Sequence, residues 1–103
     1  MDNPSVIIRA YHADFEEARF LNSTTAEEQL ALDAKNFIED NGLKDKGVTF
    51  SVDTEDLTIT FSGPVEIMAK FATVVSSVPE YAPVGGTFFQ KPKPEYIGKH
   101  RNP

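Results

Sequence analysis

A chain of 103 residues, 40% apolar and 25% charged, fits one globular domain and leaves no room for two ordinary cores. It has no cysteine, which excludes disulfides, thiolate zinc sites and thiol catalysis. The net charge of −6 hides an asymmetry, because residues 90–103 sum to +3 and residues 1–89 to −9, so the body should repel phosphate backbones and direct nucleic-acid binding is not expected.

The N-terminus, MDNPSVIIRAYH, has an acid where a secretory signal needs Lys or Arg, and Arg9 interrupts its apolar stretch. With no run of about 18 apolar residues, a soluble, cytoplasmic protein without membrane contact is expected. Residues 5–11 are β-branched and follow Pro4, which predicts a strand. Residues 14–22 fit neither period. Asp14 and Glu17 could open a helical turn as a capping box, and residues 19–21 could pair back on the first strand; an extended arm is the expectation.

Thr25 and Glu28 form a T-x-x-E capping box, and Leu30, Ala34, Phe37 and Ile38 then share one helical face. Gly42 suits the position after a helix, with Leu43 folding back on Ile38, so residues 25–41 are predicted helical. Residues 47–63 alternate: Val48, Phe50, Val52 and then Leu57, Ile59, Phe61 fall on one face, and Thr49, Ser51, Thr58 and Thr60 on the other. The polar link DTED makes this a hairpin with one buried face. Pro64 suits the first position of a second helix with core residues Met68, Phe71, Ala72 and Val75, ended by Pro79. Gly85 and Gly86 precede a short strand at Thr87–Phe89.

The order strand, helix, hairpin, helix, strand predicts an α+β two-layer sandwich, ferredoxin-like βαββαβ, with two helices on one face of an antiparallel sheet. Residues 1–90 would form the domain. Residues 91–103 would form a basic, Pro-containing extended tail.

Few residues suggest chemistry. His12 and Asp14 form an H-x-D pair with no third ligand at metal spacing. Asp53, Glu55 and Asp56 lack the glycine and spacing of a calcium loop, and fit a charged hairpin tip. Glu16 and Glu17, with Glu27 and Glu28, sit where helix-start electrostatics explain them. Gly85-Gly86 opens no phosphate loop. The hydroxyl-bearing open face of the hairpin offers no stacking platform for RNA, with the phenylalanines expected in the core. No catalytic residue, cofactor or metal ligand is assigned.

The expected function is therefore that of a small acidic, non-enzymatic interaction module: an adaptor, regulator or inhibitor acting by surface occupation. Its partner would be a protein with a basic surface, including one that normally binds nucleic acid. Glu16, Glu17, Asp53, Glu55 and Asp56 would meet the partner's cations. Lys91, Lys93, Tyr96, Ile97, Lys99 and Arg101 would form a docking segment, for this body or a second copy. One alternative is a structural subunit of a homodimer or larger homo-oligomer, joined through Ile67, Val74 and Val78. Another is a small enzyme using His12 and a carboxylate.

Overall fold

The computed structural model describes residues 5–91. The expectations placed on Lys93, Tyr96, Ile97, Lys99 and Arg101 lie outside the described residues. Eight elements follow in chain order: β1 (Ser5–Arg9), α1 (His12–Asn22), α2 (Ala26–Asp40), β2 (Thr49–Asp53), β3 (Thr58–Ser62), α3 (Val65–Ser77), β4 (Tyr81–Val84) and β5 (Thr87–Gln90). The strands form one mixed sheet in the order β2-β3-β1-β5-β4.

α2 forms for the reasons its sequence gives. The Thr25 hydroxyl accepts the Glu28 N–H at 3.2 Å, and the Glu28 carboxylate accepts the Thr25 N–H at 2.8 Å. At its other end Gly42 takes φ +66°, the Leu43 N–H bonds the Ile38 carbonyl at 2.8 Å, and Leu43 is buried. The backbone N–H of Thr25, and then its hydroxyl, hold the Glu28 carboxyl below its ordinary value of 4.5. A depressed carboxyl stabilises above its unfolded value and loses that contribution as pH falls through the folded one. Thr25→Ala keeps the backbone N–H and removes the hydroxyl; through the lost N-cap it is expected to cost about 1 kcal/mol at neutral pH in urea unfolding, and the part of the deficit that depends on the Glu28 charge should shrink as pH falls below 4.5.

α1 corrects the extended arm expected for residues 14–22. Its N-cap is Tyr11, with no side-chain cap, so Asp14 does not serve the capping box its spacing suggested. Asp14 and Phe15 turn inward, Arg19 pairs with Glu16 at 3.0 Å, and the helix stops at Ser23 in the left-handed region, φ 55°. The Thr24 N–H closes that stop on the Arg19 carbonyl at 3.0 Å.

The hairpin pairs as its alternation dictates, with Phe50 opposite Phe61 and Val52 opposite Ile59. Leu57 lies outside β3 at φ 57°, yet still packs against the core. α3 begins one residue after Pro64, which is the N-cap, and buries Met68, Phe71 and Val75.

The sheet departs from the all-antiparallel arrangement beyond α3. The chain lays down β4 at the edge, turns through Gly85 and Gly86 at φ 56° and 86°, and returns as β5 between β4 and β1. β5 runs parallel to β1, with Ile8 opposite Phe88. Two residues with positive φ are what a tight hairpin turn needs. Pro83 is tolerated because β4 is an edge strand. Over the described residues the molecule is thus α+β with five strands and three helices, where four strands and two helices were expected.

Val6, Ile8, Ile59, Phe61 and Phe88 from the sheet meet Phe15, Leu30, Ala34, Met68, Phe71 and Val75 from the helices in one core. Phe61 is at its centre, edge-to-face with Phe71 at 5.1 Å and with Phe37 at 5.9 Å.

Candidate functional site

A cavity of about 250 Å³ opens where α1 and α2 pass over the sheet. Its apolar wall is Ile8, Ile59, Phe15 and Phe37. Its polar residues are Asp14 from α1, Asp33, Asn36 and Asp40 from α2, and Tyr81 and Gln90 from the last two strands. Three carboxylates line it, and no Lys, Arg or His does, among the described residues.

Local structure fixes this arrangement. Asp14 and Phe15 occupy the first turn of α1 directly after β1, so they come down over the end of the sheet. Asp33, Asn36, Phe37 and Asp40 recur at i, i+3, i+4 and i+7, one face of α2. Gln29, buried, joins the two helices. It accepts from Thr24 Oγ1 at 2.8 Å and Asn22 Nδ2 at 3.1 Å, and donates to Asp33 Oδ1 at 2.9 Å. Gln90 Oε1 accepts the Tyr11 N–H at 2.9 Å, tying β5 to the entrance of α1.

The carboxylates sit in different surroundings. Burial raises Asp33 above its ordinary value of 3.8, and the hydrogen bond from Gln29 partly opposes it. Asp40 is exposed at the rim. Asp14 is only 4% exposed, and among the described residues neither of its oxygens has a hydrogen-bond partner. The first turn of a helix favours an anion by about 0.3–1 kcal/mol. Removing a carboxylate from water without donors costs several kcal/mol. The cost outweighs the gain, so the fold does not account for Asp14. Tyr81 is pushed up to about 12, by burial first and then by the charges of Glu80 and Asp33. Its phenol therefore stays neutral beside the cavity.

The residues expected to bind a partner lie elsewhere. Glu16 is tied to Arg19, whose hydrogen bond holds its carboxyl below the ordinary value; Glu17 is exposed on α1. Asp53 Oδ1 accepts the N–H groups of Glu55 at 2.9 Å and Asp56 at 3.2 Å, so its first task is to shape the hairpin turn. Glu55 and Asp56 are exposed at the tip, where the Asp56 carbonyl accepts from Arg9 Nε at 3.0 Å. Lys91 is exposed, its N–H on the Glu80 carbonyl at 2.7 Å. On α3, Ile67 packs against the core and Val74 is exposed, while Val78, the C-cap that follows the helix, is half-buried.

His12 and Asp14 are not brought together as a site: His12 is exposed while Asp14 is buried. The phenylalanines are also not all in the core. Phe20 is 84% exposed near the end of α1. Phe89 lies on the sheet face turned from the core, with the Arg9 guanidinium 5.7 Å from its ring centre. Among the described residues, no group of three or more His, Cys, Asp or Glu could hold a metal ion, and no helix is long and apolar enough to cross a membrane. Compared with protein-family models, with curated proteins and with solved structures, the chain matches none.

Proposed function

We propose that this chain is a small acidic binding module that acts by occupying a basic protein surface and performs no catalytic step. The observation that carries it is the cavity with three carboxylates and, among the described residues, no cation along its wall. An anionic hollow beside an acidic exterior attracts positive charge and is short of it within the described residues. The exposed hairpin tip, Asp53–Asp56, adds a second acidic surface that would contribute to approach rate more than to affinity. In the same proposal the scaffold is a variant of the ferredoxin-like arrangement, with an added helix and a closing strand, β5, that runs parallel to β1. Supporting this are the β2-β3-β1 order and the single core that β1, β3 and β5 share with all three helices.

A lysine-rich peptide is a direct probe. Charge reversal at Glu16, Glu17, Asp53, Glu55 and Asp56 is expected to weaken its binding, chiefly at low ionic strength, and to flatten the dependence on salt. Unchanged affinity at every salt concentration would count against the module.

The homo-oligomer is the second reading. Val65 and Val74 on α3, and Phe20 and Leu21 on α1, are large apolar side chains left in water. Sedimentation of the full chain would decide it, a monomer at high concentration ruling it out. The enzyme alternative through His12 has less in its favour, since His12 does not line the cavity.

A further inference from the structure

We propose that the cavity between α1, α2 and the sheet is a recognition pocket for an organic cation: an ammonium or guanidinium group on a short apolar stem, seated against Asp14. The inference rests on the module reading insofar as it makes the basic partner's Lys or Arg side chain the natural occupant.

Three observations converge on this chemistry. Asp14 is almost wholly buried, with both oxygens unpartnered among the described residues. An ammonium or guanidinium supplies the donors those oxygens lack, in charge-assisted bonds about twice as strong as neutral ones. The wall beside it is apolar and aromatic, from Ile8, Phe15 and Phe37. Such a wall suits methylene stems, which Lys and Arg bury while their heads stay polar. The size also discriminates. At about 250 Å³ the cavity falls below the ~300–1,000 Å³ of sites that enclose drug-sized ligands. One side chain, or a ligand of a few heavy atoms, is what it admits.

The remaining polar groups refine the choice. Asp33 is already engaged by Gln29, and Tyr81 is held neutral. Asp40 is at the rim, in water, where a pairing is weak. Asp14 is thus the group on which charge recognition turns. An anion finds no cationic side chain along the wall among the described residues, and a neutral apolar ligand leaves the Asp14 oxygens unsatisfied.

The test is an amide-NMR titration of the full chain with n-butylammonium, with n-butanol as the uncharged isostere, and with the blocked tripeptide Ala-Lys-Ala against its norleucine counterpart. All are compared at one ionic strength. Shifts are expected at Ala10, Asp14, Ala18 and Asn36, with n-butanol binding about ten-fold more weakly or worse. Asp14→Asn should weaken n-butylammonium by about ten-fold or more, and Asp40→Asn by no more than about five-fold. The amide spectrum and urea midpoint of each variant establish that it is folded. Entry of both cations supports a partner's side chain as the occupant. Entry of n-butylammonium alone supports a small free amine, and removes the pocket from the protein-binding reading. Equal binding of cation and alcohol, or an unchanged affinity in Asp14→Asn, overturns the inference. If neither probe enters while the lysine-rich peptide still binds with steep salt dependence, the pocket is overturned and the module reading stands.

Discussion

Asp14→Asn is expected to make the protein more stable, by about 1–3 kcal/mol at neutral pH in urea unfolding. The direction is unusual, since most substitutions at buried positions destabilise. It follows from the state of the side chain, which is 4% exposed with two oxygens that no donor among the described residues reaches. Asparagine keeps the shape and removes the charge, leaving a neutral amide whose unmet hydrogen bonds cost less than those of a carboxylate. What is lost is the favourable position in the first turn of α1, about 0.3–1 kcal/mol, which is less than the cost of a buried, uncompensated carboxylate. A residue that opposes folding while lining a cavity fits the pattern in which binding sites are kept at some expense of stability. A less stable Asp14→Asn protein would mean that the carboxylate serves the fold, and would remove the main reason to regard the cavity as a site.

The opposite extreme is Phe61→Ala, expected to cost about 3–5 kcal/mol. Phe61 has no exposure, meets Phe37 and Phe71 edge-to-face, and sits on the strand that pairs with both β1 and β2. Truncation opens a void where sheet and helices share one core, so neighbours on either side cannot close it alone. Against a total stability of about 5–15 kcal/mol for ordinary domains, the variant should lie close to unfolding at 37 °C. Phe20→Ala is the matched control. With Phe20 84% exposed, its effect should stay within about 0.5 kcal/mol. Similar losses at the two positions would contradict the assignment of the core.

The contrast between α2 and α1 explains how far the sequence could be read. In α2 the local signals agree: a capping box at Thr25, one apolar face through Ala34 and Ile38, and Gly42 at the stop. In α1 they conflict. A buried acid, Asp14, interrupts the inward face, two large apolar residues, Phe20 and Leu21, point to water, and the stop is Ser23, where glycine would have been a visible marker. Tertiary contact settles that helix, and local propensity does not. β4 was hidden by Pro83, whose presence is harmless only at a sheet edge. The parallel seating of β5 on β1 depends on which edge a returning hairpin enters, a choice made by packing between residues some 80 positions apart.

The candidate site was less legible than the fold. In sequence, Asp14, Asp33 and Asp40 resemble ordinary surface acids of helices, and His12 is the more conspicuous residue because histidine is the usual titrating group near neutral pH. The one available signal was periodicity: Asp33, Asn36 and Asp40 share a helical face with Phe37, an apolar neighbour. That Asp14 faces them could be known only once α1 was seen to fold over the end of β1. Phe89 departs from the core expected for the phenylalanines for a related reason. Phe89 alternates outward only because Phe88 pairs with Ile8 on the core side.

Thermodynamic linkage between ligand and folding tests the Asp14 pocket most directly. A cation that binds only the native state raises stability with its concentration as RT ln(1 + [L]/Kd). Urea midpoints of the wild-type protein should therefore climb with added n-butylammonium, measured against sodium chloride of equal ionic strength. Those of Asp14→Asn, higher at the outset, should stay flat. Parallel responses in the two proteins, or a wild-type midpoint that n-butylammonium does not move, would contradict the assignment of Asp14 as the seat of a bound cation.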